Sequence, residues 1–301
     1  MQQHSEWWIS VIIPCFRQAH YLRDCLDSVS GQTCPRWEAI VVDDGSPDGA
    51  RIREVVESYA DRRIRLHLMD RNRGLAASRN AGASLARHPL LVSLDADDKL
   101  AARYVETVSE EFAADPGLEC VYTDYEAFGV SNAVSEMRLP ETVAEVAAGL
   151  RMPGAGIAVR RSLWDRIGGY DESGELLPGR TDLEFNIRLA AGKPLTRHLP
   201  LPLYLRRLAG PSMCTKARLR EHKLYRYIYQ KHRKSFDECG GGGVFLGRGY
   251  SIAAKAALES GTPYRAVGLA ILSLIHHPRP AGVRTLLRAA GAAAGLAGIL
   301  R

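Results

Sequence analysis

The 301-residue chain has no CxxC pair, no GxGxxG and no apolar run long enough to span a bilayer. Its six cysteines, Cys15, Cys25, Cys34, Cys120, Cys214 and Cys239, are scattered. That spacing argues against a zinc site and suggests no disulfide framework at this length, so reduced thiols in a cytosolic protein are expected. The opening MQQHSEWWISVIIP lacks the basic start and long apolar stretch of a secretory signal. The longest apolar runs, 266–275 (interrupted by Ser273) and 289–300, fall short of the ~18–20 residues of a membrane-spanning helix. The expectation is a protein that does not cross a membrane but can lie on one. Acidic residues are scarce at one end: residues 201–301 hold 17 Lys and Arg against 4 Asp and Glu, whereas residues 1–200 hold 23 against 30. A formal net charge of +6 therefore averages an acidic body and a basic tail, which suggests an anionic partner for the tail. With 46% hydrophobic and 25% charged residues there is ample apolar material to fold, and disorder is excluded as the main state.

Over the first 125 residues, strand-like and helix-like segments alternate. Strands are expected at 8–13, 38–42, 63–69, 90–94 and 118–122, and helices at 21–30, 49–60, 75–86 and 101–114. In the first helix Leu22, Cys25, Leu26 and Val29 recur at i, i+3, i+4 and i+7, which gives one buried face. This alternation predicts a parallel sheet covered by helices, and such sheets bind ligands at the carboxyl ends of their strands. Further on, a strand is expected at 154–160, a helix around 182–191 and an extended stretch at 195–205. Beyond Lys216 a basic helical segment precedes Gly240–Gly243, read as a hinge or loop, and residues 244–301 read as helices broken at Gly261-Thr262-Pro263 and Pro278-Arg279-Pro280.

The residues just after the strands carry the chemistry. Asp43 and Asp44 follow the second strand in VVDDGSPDG. One of them suits a hydrogen-bond donor of a nucleobase or ribose, although Asp-Gly-Ser is also plain turn chemistry with a helix cap at Ser46 or Asp48. Asp95 and Asp97 follow the fourth strand at i, i+2, with Asp98 next. Three carboxylates directly after an apolar run are costly without a cation, and a hard divalent ion, Mg²⁺ or Mn²⁺, bridging them to a diphosphate answers that cost. Acids favouring a helix N-terminus are the simpler alternative. In DRNRGLAASRNAGASLA, Gly74 opens a helix whose small residues (Ala77, Ala81, Ser84, with Gly82 beside them) permit close backbone approach. Arg73 and Arg79 there offer charge to phosphate oxygens, or are simply exposed. Asp182 opens a later helix, as an N-cap or as a general base.

Taken in order, ISVIIPCF, YLRDCLDSVSGQ, WEAIVVDDGSPDG, NRGLAASRNAG, LVSLDADD, GAGIAVRRSLWDRIGGYDES, TDLEFNIRLAAGK and PLYLRR resemble the family 2 glycosyltransferases, inverting enzymes of GT-A fold, over about residues 8–212. The resemblance implies an α/β GT-A catalytic domain over 1–214, Rossmann-like with a mostly parallel sheet flanked by helices, followed by a basic helical region over 215–301. It implies that Pro14, Phe16 and Asp44 border the base and ribose of a nucleotide sugar, with Arg79 nearby. Asp95 and Asp97 would form the DxD metal site for Mn²⁺ or Mg²⁺, and Asp182 would be the catalytic base. The implied activity is metal-dependent transfer of a sugar from a nucleotide-sugar donor, UDP-linked by default, to a hydroxyl of a glycan or lipid-linked acceptor. Three positions depart from the family pattern: Thr181 replaces a frequent Glu, Arg17 a frequent Asn, and Leu208 a frequent His. These bear on acceptor preference.

Rival readings are weaker. A dinucleotide oxidoreductase needs a glycine cradle after its first strand, where this chain has PCFRQAHYL. A haloacid-dehalogenase-type phosphatase needs its DxD after the first strand rather than the fourth. A glycosyltransferase-like scaffold that binds nucleotide or glycan without turnover is motivated by Thr181. In the tail, basic residues interleave with Tyr225, Tyr227 and Tyr229, but no nucleic-acid motif accompanies them and no nucleic acid is expected. Residues 215–301 are read as helices resting on an anionic membrane surface, which would make the enzyme cytoplasmic and peripheral on the inner face of the cell membrane. A helical cap or a homodimer contact is the alternative.

Overall fold

The computed structural model describes residues 7–150, 152–174, 181–208 and 218–299. In chain order the elements up to residue 208 are β1 (Ile9–Cys15), α1 (Ala19–Ser30), β2 (Trp37–Asp43), α2 (Gly49–Glu57), β3 (Ile64–Leu68), α3 (Leu75–Leu85), β4 (Leu90–Ser93), β5 (Lys99–Leu100), α4 (Tyr104–Ala114), β6 (Cys120–Gly129), β7 (Val134–Ser135), α5 (Val143–Ala148), β8 (Ile157–Arg160), α6 (Arg161–Ile167), α7 (Thr181–Gly192) and β9 (Thr196–Leu208). They are followed by a 3₁₀ turn (Arg218–Arg220), α8 (Glu221–Lys231), α9 (Arg233–Glu238), α10 (Gly242–Glu259), α11 (Pro263–His276) and α12 (Pro280–Ile299). The described residues fall into two compact units. One is drawn from Met1–Leu139, Arg151–Glu172 and Thr181–Gly210, the other from Pro140–Leu150, Ser173–Arg180 and Pro211–Arg301. The boundary expected at residue 214 lies outside the described residues, as does Cys214.

The first unit is built on a sheet of order β3-β2-β1-β4-β8-β6-β9-β5, with β7 paired to β6. Every residue of β1, β2 and β4 is buried, as expected of strands covered on both faces. Helix α1 buries Leu22, Cys25, Leu26 and Val29, the face its periodicity predicts. The parallel pairing read from the sequence holds for β3-β2-β1-β4, and again for β6 with β9. The sheet is mixed beyond β4: β8 runs antiparallel to both β4 and β6, and β5 antiparallel to β9. Regular strand–helix alternation, which forces parallel crossovers, ends at α4, so the later strands are free to reverse.

Close packing fixes α3 against the sheet. A Cβ on Gly82 would lie 2.3 Å from Ile12 Cγ2, so a side chain there would push the helix off β1. The packed face is Ala76, Ala77, Ser78, Arg79, Gly82 and Ala83. Of the small residues singled out in the sequence, Ala77 and Gly82 belong to it, while Ser84 is exposed. Glu38 ties four segments together: Oε1 accepts from Ser10 Oγ and from the Arg87 backbone, both at 2.7 Å, and Oε2 accepts from Arg65 at 2.7 Å. Burial alone would raise its pKa, but these donors hold the carboxyl below its ordinary range. The group therefore stabilises the fold above the unfolded carboxyl pKa, and that contribution fades as pH falls through the lowered folded value. Glu38→Gln is expected to cost about 2–3 kcal/mol at pH 7 by denaturant unfolding, with the gap to wild type closing at acid pH.

The second unit is helical. Tyr225 on α8 and Phe236 on α9 pack on Phe245 of α10 at 4.4 and 4.5 Å. Tyr225 is thus a core residue. The glycine run read as a hinge or loop is a break at Gly240 and Gly241, between α9 and α10, while Gly242 and Gly243 open α10. A Cβ on Gly242 would meet the Tyr229 ring at 2.6 Å, and one on Gly243 the His276 carbonyl at 2.7 Å, so these glycines permit close contact within a helix. Breaks near Gly261 and Pro278 separate α10, α11 and α12 where the sequence places them. Among the described residues no helix is long and apolar enough to cross a membrane.

Candidate active site

The site lies where β1, β2 and β4 end. Pro14 is buried near the end of β1, beyond the last β1–β4 pair at Ile12–Ser93, and Phe16 just past the strand is 36% exposed. Arg17 follows at φ 57°, its backbone N–H held by Ser46 Oγ at 3.0 Å and its guanidinium over the Phe16 ring. After β2, Asp43 Oδ1 accepts from the Ser46 backbone at 2.9 Å and shapes the turn. Asp44 reaches the other way. Its Oδ1 accepts from Arg73 N at 2.7 Å and its Oδ2 from Gly74 N at 2.8 Å. The buried Asp44 carboxylate therefore fixes the backbone that leads into α3, where Gly74 adopts φ 91°.

After β4, the chain turns through Asp95, Ala96, Asp97 and Asp98, closed by Asp98 N to Asp95 O at 2.9 Å. Asp98 is structural: its Oδ2 accepts from Tyr204 Oη and its Oδ1 from Arg207 N, each at 2.7 Å. Tyr204 Oη also accepts from Asp95 N at 3.3 Å. Arg207 donates from Nε to the Asp97 carbonyl at 2.9 Å and from Nη2 to Asp24 at 2.8 Å, with its guanidinium against Tyr21 and Phe128. Strand β9 thus braces the whole acidic turn. Burial raises the Asp97 carboxyl above its ordinary range and Asp95 adds to the shift; burial and then Asp95 and Asp97 push Asp98 up to about 7.

Arg79 is the centre of the arrangement. Its side chain is fully buried on α3; Nη1 donates to Asp182 Oδ1 at 2.5 Å and Nη2 to Asp95 Oδ1 at 2.9 Å. Asp182 opens α7, and Tyr170 completes the group: its hydroxyl is 3.4 Å from Asp182 Oδ1, its ring lies 5.0 Å from the Arg79 guanidinium, and Phe185 stacks on it at 4.4 Å. Gly154 leaves room for the Asp182 carboxylate, since a Cβ there would sit 3.1 Å from Oδ2. Burial works against the charge on Arg79, but Asp182, Tyr170 and Asp95 hold its pKa well above the ordinary value. Burial likewise raises Asp182, and Arg79 opposes that rise.

Asp95, Asp97 and Asp182 thus converge with Arg79, while Asp44, Pro14 and Phe16 line the strand ends beside them. The two arginines differ from the sequence picture. Arg79 spends both terminal nitrogens on carboxylates, and Arg73, half exposed, pairs with Glu172 at 3.1 Å. Tyr170, Tyr204 and Arg207 were not singled out from sequence, although GGYDES and PLYLRR contain them. Among the described residues no group of three or more His, Cys, Asp or Glu is arranged to hold a metal. Asp95 and Asp97 offer two hard carboxylates, a donor set that fits Mg²⁺ or Mn²⁺ only where substrate phosphates and water complete the shell.

Residues 10–145 match the family model "Glycosyl transferase family 2". The chain is 29% identical over 217 residues to chondroitin synthase of Escherichia coli, a stretch covering 69% of this chain and 30% of that protein. It spans about a third or less of the length of the curated relatives it matches. Among solved structures it resembles S. aureus TarS 1–349 in complex with UDP-GlcNAc, with a TM-score of 0.61 at 14% identity, covering 93% of this chain and 89% of that one. It also resembles the mannosyltransferase PcManGT from Pyrobaculum calidifontis in complex with GDP-Man and Mn²⁺, with a TM-score of 0.58 at 20% identity over 95% and 86% of the two chains. The mixed α/β sheet with flanking helices is accordingly the GT-A fold. The matched segment contributes the ends of β1, β2 and β4, so the candidate site is built largely on the part of the chain that is similar to the family 2 glycosyltransferases.

Proposed function

We propose that the protein is an inverting, metal-dependent glycosyltransferase that moves a sugar from a nucleotide diphosphate donor to an acceptor hydroxyl. The observation that carries this is the Arg79 fork: one buried guanidinium holds Asp95 and Asp182, 87 residues apart, on adjacent nitrogens. A phosphate-side carboxylate and a candidate base thereby face one cleft. Asp97 and Asp95 would hold Mn²⁺ or Mg²⁺, which when bound neutralises charge on the leaving diphosphate. Asp182 takes the proton of the acceptor hydroxyl as that oxygen attacks the anomeric carbon, and Arg79 and Tyr170 fix the carboxylate for that task. Tyr204 and Arg207 hold the acidic turn still. Pro14, Phe16 and Asp44 shape the space for base and ribose, Phe16 by its exposed ring and Asp44 through the backbone it anchors.

UDP is the favoured nucleotide and a glycan or lipid-linked glycan the favoured acceptor. This is supported by relatives named for chondroitin and hyaluronan synthesis and by a fold neighbour holding UDP-GlcNAc. Asp97→Ala tests the donor side. Calorimetry with UDP should show Mn²⁺-dependent binding for the wild type, and at least about tenfold weaker binding with no Mn²⁺ response for the variant. Equal binding by both proteins, with and without Mn²⁺, would refute the assignment.

A further inference from the structure

Helices α11 and α12 form an antiparallel pair: Tyr264 Oη donates to the Ala293 carbonyl at 3.3 Å near one end, and a Cβ on Gly282 would lie 2.8 Å from Leu274 Cδ2 near the other. Each helix buries a narrow face, α11 through Pro263, Ala266, Leu269, Ala270 and Ser273, and α12 through Thr285, Ala289 and Ala293. The opposite faces are apolar as well. On α11, Tyr264, Ile271, Leu272 and Ile275 are 62, 44, 38 and 68% exposed, and on α12 Val283 and Leu287 are 45 and 66% exposed. Spacings of 264, 268, 271 and 275, and of 283, 287, 290 and 294, each trace one stripe along a helix. Tyr264 of the first stripe reaches across to the Ala293 carbonyl, beside Ala294 of the second, so the two stripes adjoin as one band. Such a contiguous apolar band marks an interaction surface rather than ordinary scatter.

The charges around the band identify what covers it. Exposed Arg265, which also donates to the Leu219 carbonyl at 3.3 Å, borders it on α11, and exposed Arg284 borders it on α12, with exposed Arg288 one turn beyond Arg284. No acidic residue follows Glu259 in the chain, so nothing in these two helices neutralises them. A second copy laid on the band would bring like charges together, whereas a lipid surface with anionic headgroups would take both the arginines and the apolar side chains. We propose that the α11–α12 face docks in the plane of an anionic bilayer, with Ile275, Leu287 and Tyr264 at the acyl boundary and Arg265, Arg284 and Arg288 at the headgroups. This places the membrane contact on the arginine-flanked hairpin rather than on the more densely basic α8, and it is independent of the donor and acceptor readings.

The test is sedimentation of the full chain with vesicles of phosphatidylcholine alone or mixed with phosphatidylglycerol, at low and high salt. Binding should require the anionic lipid, fall with salt, and drop more than about tenfold in Arg284→Glu/Arg288→Glu and in Ile275→Ser/Leu287→Ser. Arg284→Lys/Arg288→Lys should bind like wild type. Circular dichroism and release of nucleotide from a donor sugar should be unchanged in all three variants, which separates lost docking from lost folding. Equal binding to both vesicle types, no binding, or wild-type binding by the two disruptive variants would overturn the proposal. So would a wild-type dimer in analytical ultracentrifugation that Ile275→Ser/Leu287→Ser converts to monomer, since a second copy would then be the occupant.

Discussion

Asp182→Asn should lower turnover by about 10²–10⁴ while leaving Mn²⁺-dependent nucleotide binding close to wild type. The substitution is nearly isosteric, so the space beside Gly154 and the Tyr170 ring stays filled, and the amide oxygen can still accept from Arg79. What disappears is the capacity to take a proton from the acceptor. Nothing on the diphosphate side changes directly, because Asp95 keeps its own bond to Arg79 Nη2. An ion pair becomes a hydrogen bond from the guanidinium to a neutral amide oxygen, so a stability loss of about 1–2 kcal/mol should accompany the rate loss. Comparison of kcat for transfer with the Kd for UDP, at a temperature below the onset of unfolding, separates the two effects. Near-normal transfer by this variant would sink the role given to Asp182.

Arg79→Lys should be almost as damaging, despite keeping the charge. One ammonium cannot reproduce the planar fork that meets Asp182 on one nitrogen and Asp95 on the other. Whichever carboxylate is abandoned loses its partner while only partly buried, Asp95 being 36% and Asp182 22% exposed, so the stability loss should be about 1–3 kcal/mol. Turnover should fall by 10-fold or more, since the base loses its fixed orientation. The pH profile adds a readout that general loosening would not produce. Arg79 lowers an Asp182 pKa that burial raises. With that opposition weakened, the carboxyl protonates at higher pH, so the acid limb of kcat/KM should move upward. An unmoved acid limb with reduced kcat would assign Arg79 a purely structural role.

Much of the first unit was legible because parallel strands buried on both faces are continuous apolar runs, as in 8–13, 38–42 and 90–94. Helix α1 shows its buried face in four residues. The antiparallel insertion of β8 between β4 and β6 leaves no local trace, because pairing partners are chosen by tertiary packing rather than by strand composition. Within the site, the DxD pair and Asp182 were legible as residue types after apolar strands or at a helix start. Arg79 was visible only as a cation. That it spends its charge on Asp95 and Asp182 depends on a contact across 103 residues of chain, which no spacing rule encodes. Asp44 is similar: the turn it begins could be read, but not the Arg73–Gly74 backbone it grips. The glycine run was legible as a break, which falls at Gly240 and Gly241. That Gly242 and Gly243 already belong to the next helix was not legible, because it depends on the Tyr229 ring and the His276 carbonyl lying too close for any side chain. The tail's helices followed from composition, whereas the open apolar band on α11 and α12 appears only once their packed faces are known.

Release of nucleoside diphosphate from a panel of UDP-, GDP- and dTDP-sugars, with Mn²⁺ and with EDTA, tests the central claim most directly. The account predicts slow donor hydrolysis of at least one sugar nucleotide, a UDP-sugar first, that requires the metal and is abolished in Asp97→Ala. Binding of nucleotide without release from any donor, with or without metal, would contradict it and leave a glycosyltransferase fold that serves only to bind.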